Sequence, residues 1–78
     1  MIVTVYEGVY VSNGRRYMDV VHDRGDPIRV KVPYRYKKVD GVVQSPSKSI
    51  WEFNKGDKAR IVIANKDGWK ILKEIYPA

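Results

Sequence analysis

Apolar and polar residues alternate along most of the chain, and turn residues interrupt the alternation at short intervals. A period of two sends successive side chains to opposite faces and therefore predicts β-strands. The clearest strand is predicted at 28–38, where Ile28, Val30 and Val32 alternate with basic residues. Because Pro33 has no amide hydrogen to donate, we expect it at an edge, a bulge or a break in this strand.

Turn signals divide the rest of the chain into further strands. Asn13-Gly14 is the strongest of them, because both central positions of a two-residue hairpin turn require a positive φ. The predicted strands are 2–11, 15–22, 28–38, 42–44, 50–53, 58–64 and 69–76. Segment 42–44 is expected to pair back on the preceding strand across Asp40-Gly41. The last segment also fits a helix, but Gly68 before it favours a hairpin return and hence a strand.

The length of 78 residues predicts a single domain, 1–78. A domain this small buries only about 60% of the surface of its unfolded chain. Without cysteine it has no disulfide to reinforce it. Five or six short antiparallel strands can close into a barrel, which also removes exposed sheet edges. We therefore expect an all-β fold, a small antiparallel five- to six-stranded barrel.

The segment WEFNKGDKARIVI at 51–63, followed by NKDGWKIL at 65–72, resembles the last two strands of small OB-fold or SH3-like barrels. In such domains a Gly-Asp turn often begins a strand and a second glycine turn returns it. The resemblance covers roughly the last third of the chain and implies an OB-like or SH3-like barrel. It does not fix a function, because one fold hosts many activities.

The N-terminal sequence predicts a soluble protein. It has no basic segment followed by a long apolar run, and no stretch approaches the roughly 18 apolar residues of a membrane span. The lack of cysteine fits a reducing compartment. We therefore expect a cytoplasmic protein without a membrane partner. High charge with few Asn and Gln residues suggests a thermophilic source.

The charge balance predicts a polyanionic partner. Fifteen Lys and Arg against nine Asp and Glu give a formal net charge of +6, a positive field that attracts phosphate polyanions. Within 28–38, Arg29, Lys31, Arg35 and Lys37 would share one face of an extended strand, about 6.6 Å apart at each step of two residues. Several phosphate contacts could then form at once and release counterions.

Aromatic residues near these cations could stack on bases, which is worth about 1–3 kcal/mol per base. Tyr17 is the strongest candidate, whereas Tyr34 and Tyr36 share the apolar face of their strand and favour the core. Trp51 and Trp69 are also expected mainly in the core. The predicted nucleic-acid-binding residues are Arg15, Arg16, Tyr17, Arg29, Lys31, Arg35, Tyr36, Lys37, Lys38, Lys48 and Trp51.

Catalytic and metal-binding signatures are weak. His22 is the only histidine, and one histidine without cysteine does not make a metal site. Ser45, Ser47 and Ser49 have no base placed to activate them, and Arg24-Gly25-Asp26 is interpreted as an ordinary turn. We therefore expect no enzyme activity, no metal and no cofactor.

Nucleic-acid binding is the function that this sequence favours. The contacts would go to backbone phosphates of DNA or RNA, and a single strand is slightly preferred because unpaired bases can stack on aromatic rings. The alternative is a small adaptor or subunit of a larger assembly. In that case a protein partner or a second copy would cover the apolar strand faces.

Overall fold

The computed structural model describes residues 1–22, 24–33 and 41–78. Within these ranges, six strands and one short 3₁₀ helix follow one another. They are β1 (Ile2–Ser12), β2 (Arg15–Val21), β3 (Ile28–Lys31), β4 (Val43–Gln44), η1 (Ile50–Glu52), β5 (Lys58–Lys66) and β6 (Trp69–Pro77). The mainly β class predicted from the alternation of residues is therefore confirmed.

Five of the strands close into a barrel. Their order is β1-β2-β3-β6-β5, with β5 pairing back to β1, and β4 adds to β6 as an extra strand. The predicted small barrel is confirmed, but it is mixed. β3 and β4 each run parallel to β6. A closed ring with an odd number of strands cannot alternate direction throughout, so at least one neighbouring pair in this ring must be parallel.

The two long hairpins follow the predicted turn chemistry. Asn13 and Gly14 have φ values of 54° and 74°, and Asp67 and Gly68 have 52° and 80°. Two consecutive positive φ values match the twist of antiparallel strands. The turns pair Ser12 with Arg15 and Lys66 with Trp69. The last segment is accordingly a strand, as expected, and not a helix.

The interpretation of 50–53 as a strand was wrong. Ile50–Glu52 is a 3₁₀ helix whose first turn is closed by a capping box. The Ser49 hydroxyl accepts a hydrogen bond from the Trp51 amide at 3.3 Å, and Glu52 Oε2 accepts one from the Ser49 amide at 2.7 Å. Four apolar or charged residues are too few for periodicity to separate a strand from a helical turn, whereas Ser-x-x-Glu is a helix-start signal.

The central part of the chain also departs from expectation. β3 covers only Ile28–Lys31 of the predicted strand 28–38. Residues 32 and 33 follow it without strand structure, and 34–38 lie outside the described residues. Pro33 follows the end of β3, in agreement with the predicted break. Segment 42–44 does not pair with β3. Instead, Val43–Gln44 pairs with β6.

The core fills the barrel and is closed at one end by η1. Its largest fully buried side chains are Phe53, Met18, Ile50, Ile61, Leu72 and Ile75. β1 pairs with β5 through residues 2–4 and with β2 through residues 4–12. The pairing with β2 has two irregularities between Val5 and Tyr10, of the kind that bend a strand. The alternation leaves an outer face on β2 and β3 directed away from this core.

Candidate functional site

Four side chains form a row across the outer face of the barrel. Tyr10 pairs with Tyr17, Tyr17 with Lys31, and Lys31 with Ile71. Residues directly opposite on neighbouring strands lie on the same face with their Cβ atoms about 5 Å apart. Trp69, two residues before Ile71 on β6, lies beside this row. The turns and register thus assemble residues from four strands into one surface.

The aromatic rings of this surface contact one another. The centroids of Tyr10 and Tyr17 are 5.9 Å apart with an interplanar angle of 38°, and those of Tyr17 and Trp69 are 6.1 Å apart at 28°. Tyr17 is only 5% exposed because its neighbours cover it, whereas Trp69 is 39% exposed. Tyr17, which was predicted to stack on bases, is therefore covered by neighbouring rings and packs against them. The exposed ring is Trp69, and its expected place in the core was wrong.

Two predicted cations lie over these rings. The Arg29 guanidinium carbon is 5.0 Å from the Tyr17 ring centroid and 5.9 Å from that of Tyr10. Lys31 Nζ is 5.7 Å from the Trp69 centroid. Each such contact is worth about 0.5–1 kcal/mol at an exposed site. The rings thereby limit the freedom of both cations, while the Arg29 side chain remains 57% exposed.

Two carboxylates, those of Glu7 and Asp19, lie in one row with Arg29 at one side of this outer face. Asp19 lies opposite both Glu7 and Arg29, and its Oδ1 is 4.0 Å from Arg29 Nε. The same oxygen accepts a hydrogen bond from the Tyr10 hydroxyl at 2.8 Å. Burial, followed by this hydrogen bond, raises the pKa of Tyr10. The carboxylates therefore make the Asp19 side less favourable for an anionic ligand than the side of Lys31 and Trp69.

An open depression of about 250 Å³ adjoins the face at the ends of β2 and β3. It is lined by Arg15, Arg16, Lys31, Val32 and Pro33. The structure therefore brings three of the predicted cations to one depression. Their orientations differ, however, because consecutive residues of a strand point to opposite faces.

Arg16 points to the face opposite Tyr17. It pairs with Val11, and its guanidinium carbon is 5.0 Å from the centroid of the Trp51 ring. Trp51 is 43% exposed, so its expected place in the core was also wrong. The two tryptophans lie on opposite sides of the β1–β2 hairpin, because one contacts Tyr17 and the other contacts Arg16.

Lys48 is held within the protein. Its Nζ is 3.2 Å from Asp57 Oδ2 and 4.6 Å from the Phe53 ring centroid. Asp57 Oδ2 also accepts a hydrogen bond from the Asn54 amide at 2.9 Å. These contacts connect the segment before η1 to the turn before β5, so Lys48 stabilises the fold and does not extend the basic face.

The Asp57 contacts predict a pH dependence of stability. The Asn54 amide, followed by the Lys48 ammonium, lowers the pKa of Asp57 below its ordinary value of 3.8. A carboxyl with a depressed pKa adds stability above its unfolded pKa and loses it as the pH falls through the folded pKa. We expect Asp57→Asn to reduce the loss of stability between about pH 5 and pH 2 in urea titrations. An Asp57→Asn variant that loses as much stability as the wild type over this range would contradict the prediction.

The remaining predicted site residues cannot be placed. Arg35, Tyr36, Lys37 and Lys38 lie in 34–40, outside the described residues, so the row of cations along 28–38 is described only at Arg29 and Lys31. The residues flanking this segment approach each other, since the Gly41 amide donates to the Pro33 carbonyl at 3.2 Å.

Tyr10 and Trp69 are the site residues that the sequence analysis missed. The Asn13-Gly14 turn implies the pairing of Tyr10 with Tyr17, and the Asp67-Gly68 turn implies that of Lys66 with Trp69. Counting outward from each turn was therefore the signal that could have found them. The contact between the rings of Trp69 and Tyr17, which lie on strands either side of β3, carries no such local signal.

The described residues place charge and aromatic rings together on the outer face. Among them, no group of three His, Asp or Glu side chains is placed to hold a metal ion. Within the same residues, no helix is long and apolar enough to cross a membrane. The class that the fold defines is a small closed mixed β-barrel with an aromatic and basic outer face. Comparison with models of protein families, with curated proteins and with solved structures finds no significant match.

Proposed function

We propose that this protein binds single-stranded nucleic acid on the outer face of β2 and β3. Arg29 and Lys31 contact phosphates, Arg15 contributes from the neighbouring depression, and Trp69 stacks on a base. The observation that carries the proposal is the arrangement of two cations over a connected set of rings, of which Trp69 is exposed.

The positions of these groups support contact with the backbone and with bases together. Arg29 and Lys31 are separated by one residue on β3, which places their Cα atoms about 6.6 Å apart, so both can reach neighbouring phosphates. An exposed indole binds an unpaired base, because every base has a π face and stacking needs no particular sequence. A duplex hides those faces, which favours the single strand as ligand.

The architecture supports an OB-like barrel over an SH3-like one. OB folds are five-stranded Greek-key barrels that bind oligonucleotides on the face of strands two and three, beside the loops that join strands one to two and four to five. The corresponding turns here are Asn13-Gly14 and Asp67-Gly68. Arg15 and Trp69 follow directly after these turns, at the edges of the proposed face.

A titration across salt concentration tests the proposal. A labelled 20-nucleotide oligo-dT should bind at micromolar concentrations or better in fluorescence anisotropy at low salt. Three phosphate contacts predict a slope of log K against log salt of about −2, since each contact on a single strand contributes about −0.7. A blunt duplex of the same length should compete weakly.

The two tryptophans allow the site to be located. In Trp51→Phe the remaining indole is Trp69, whose emission should be quenched by the oligonucleotide, whereas in Trp69→Phe the emission of Trp51 should change little. Absence of binding at low salt would reject the proposal and favour the protein adaptor instead. Equal quenching of both indoles would reject the proposed face.

A further inference from the structure

A second outer surface lies on β5 and β6, towards the end of β6 and away from Trp69, the β6 residue that belongs to the proposed nucleic-acid site. Arg60 pairs with Tyr76, and Val62 pairs with Glu74. These four side chains form a near-square block, because neighbouring strands are about 5 Å apart and alternate residues of one strand about 6.6 Å apart. The cation of Arg60 and the carboxylate of Glu74 lie on one diagonal of the block, and Val62 and Tyr76 lie on the other.

Three of the eight exposed large apolar side chains of the described residues lie in or beside this block. Val62 is 45% exposed, and two further residues flank the block. Ile2, beside Arg60 on β1, is 51% exposed, and Val43, beside Glu74 on β4, is 59% exposed. An apolar surface with charges of both signs is typical of a site that binds protein.

We propose that this surface binds a second copy of the chain across a two-fold axis. The axis lies in the plane of the interface, along the diagonal from Val62 to Tyr76. It places Arg60 of each copy against Glu74 of the other, so both charged contacts are complementary. Val62 and Tyr76 meet their own counterparts on the axis, as an isologous interface requires.

Contacts with Tyr76 of the same chain hold the charged groups of Arg60 and Glu74 in place. The Tyr76 hydroxyl donates to Glu74 Oε1 at 2.7 Å, and the Arg60 guanidinium carbon is 5.4 Å from the Tyr76 ring centroid. A carboxylate accepts on both oxygens, so Glu74 Oε2 can bind Arg60 of the second copy. The diagonal axis crosses the strands of the two copies at about a right angle, which is one of the two known ways that sheets pack.

The size of the surface sets the expected strength of association. The outer face of a barrel is convex, so the block forms a small contact, and small interfaces are weak. Each copy also carries a formal charge of +6, which opposes association until salt screens it. We therefore expect the apparent mass to rise from 9.0 kDa towards twice that value at high concentration and about 0.15 M salt.

Sedimentation equilibrium with charge-exchanged variants tests the dimer. Arg60→Glu places two carboxylates at each charged contact, and Glu74→Arg places two cations there, so either variant should raise the dissociation constant at least tenfold. A mixture of the two variants restores both complementary contacts and should sediment as a heterodimer. Lys55→Glu, with the same change in charge at a turn outside the block, should dimerise like the wild type.

Three results would overturn this inference. They are a monomeric wild type at millimolar concentration, a dimer unaffected by Arg60→Glu, and single variants that do not associate when mixed. Circular dichroism melts should show that the variants are folded. Oligo-dT should bind Arg60→Glu about as tightly as Lys55→Glu, because Arg60 lies outside the proposed nucleic-acid face. Sedimentation can therefore reject the dimer without rejecting nucleic-acid binding, and the oligo-dT titration can reject nucleic-acid binding without rejecting the dimer.

Discussion

Replacement of both Arg29 and Lys31 by Glu is expected to weaken oligo-dT binding by roughly a hundredfold or more at low salt. A hydrogen bond to a charged group is worth about 1.5–3 kcal/mol, and each 1.4 kcal/mol corresponds to a factor of ten in affinity. Two lost phosphate contacts therefore account for about two orders of magnitude. The slope of log K against log salt should also become shallower, because fewer counterions are released.

The matched control for this variant is Lys55→Glu with Lys58→Glu. Both double variants lower the formal net charge by four, from +6 to +2, but Lys55 lies in the turn before β5 and Lys58 begins β5. A loss confined to the Arg29 and Lys31 variant would support the proposed face. Equal losses in the two double variants would show that binding depends on overall charge and would contradict a local site.

The parts of the fold that sequence predicts well are those encoded by neighbouring residues. Asn13-Gly14 and Asp67-Gly68 fix both long hairpins, because few residues other than glycine, asparagine and aspartate tolerate a positive φ. Each turn also fixes the register of the strands beside it. The last segment could thus be recognised as a strand although its apolar spacing also fits a helix.

Most failures concern pairings between distant parts of the chain, and the short helix η1 is the exception. Two residues, Val43–Gln44, carry too little pattern to select β6 over β3 as a partner. The parallel pairing of β3 with β6 depends on closure of the whole barrel, which no local segment encodes. The capping residues Ser49 and Glu52 encode the short helix η1 locally, but the mostly apolar segment 50–53 was interpreted as a strand.

The candidate site was predicted in part for the same reason. Arg29 and Lys31 share the outer face of β3, as their spacing indicated, because period two needs only one strand. The burial of Tyr17 arises from Trp69, which the fold brings from the opposite end of the chain. Trp69 was assigned to the core by residue type, but its position on the outer face is decided by the barrel. Nucleic-acid binding itself stays a prediction.

Gly8→Ala is expected to destabilise the domain by about 1–3 kcal/mol, the usual cost of overpacking a well-packed site. A Cβ built at Gly8 would lie 2.8 Å from the carbonyl oxygen of Phe53, which belongs to the backbone that follows η1. Backbone atoms cannot rotate aside, so β1 or η1 must shift. Phe53 is a core residue only 1% exposed, and such a shift would loosen its packing.

Gly25→Ala is the matched control for Gly8→Ala. Of the described residues, a Cβ there would meet the His22 carbonyl oxygen alone, at 3.4 Å, in an exposed loop. Where alanine fits, it commonly adds about 0.4–1 kcal/mol by restricting the unfolded chain. In a domain of this size 1 kcal/mol corresponds to about 4–8 °C in Tm, so thermal melts should separate the two variants by roughly 5 °C or more. Equal melting temperatures would mean that β1 and η1 adjust freely at Gly8, and the close approach would then not limit the residue at this position.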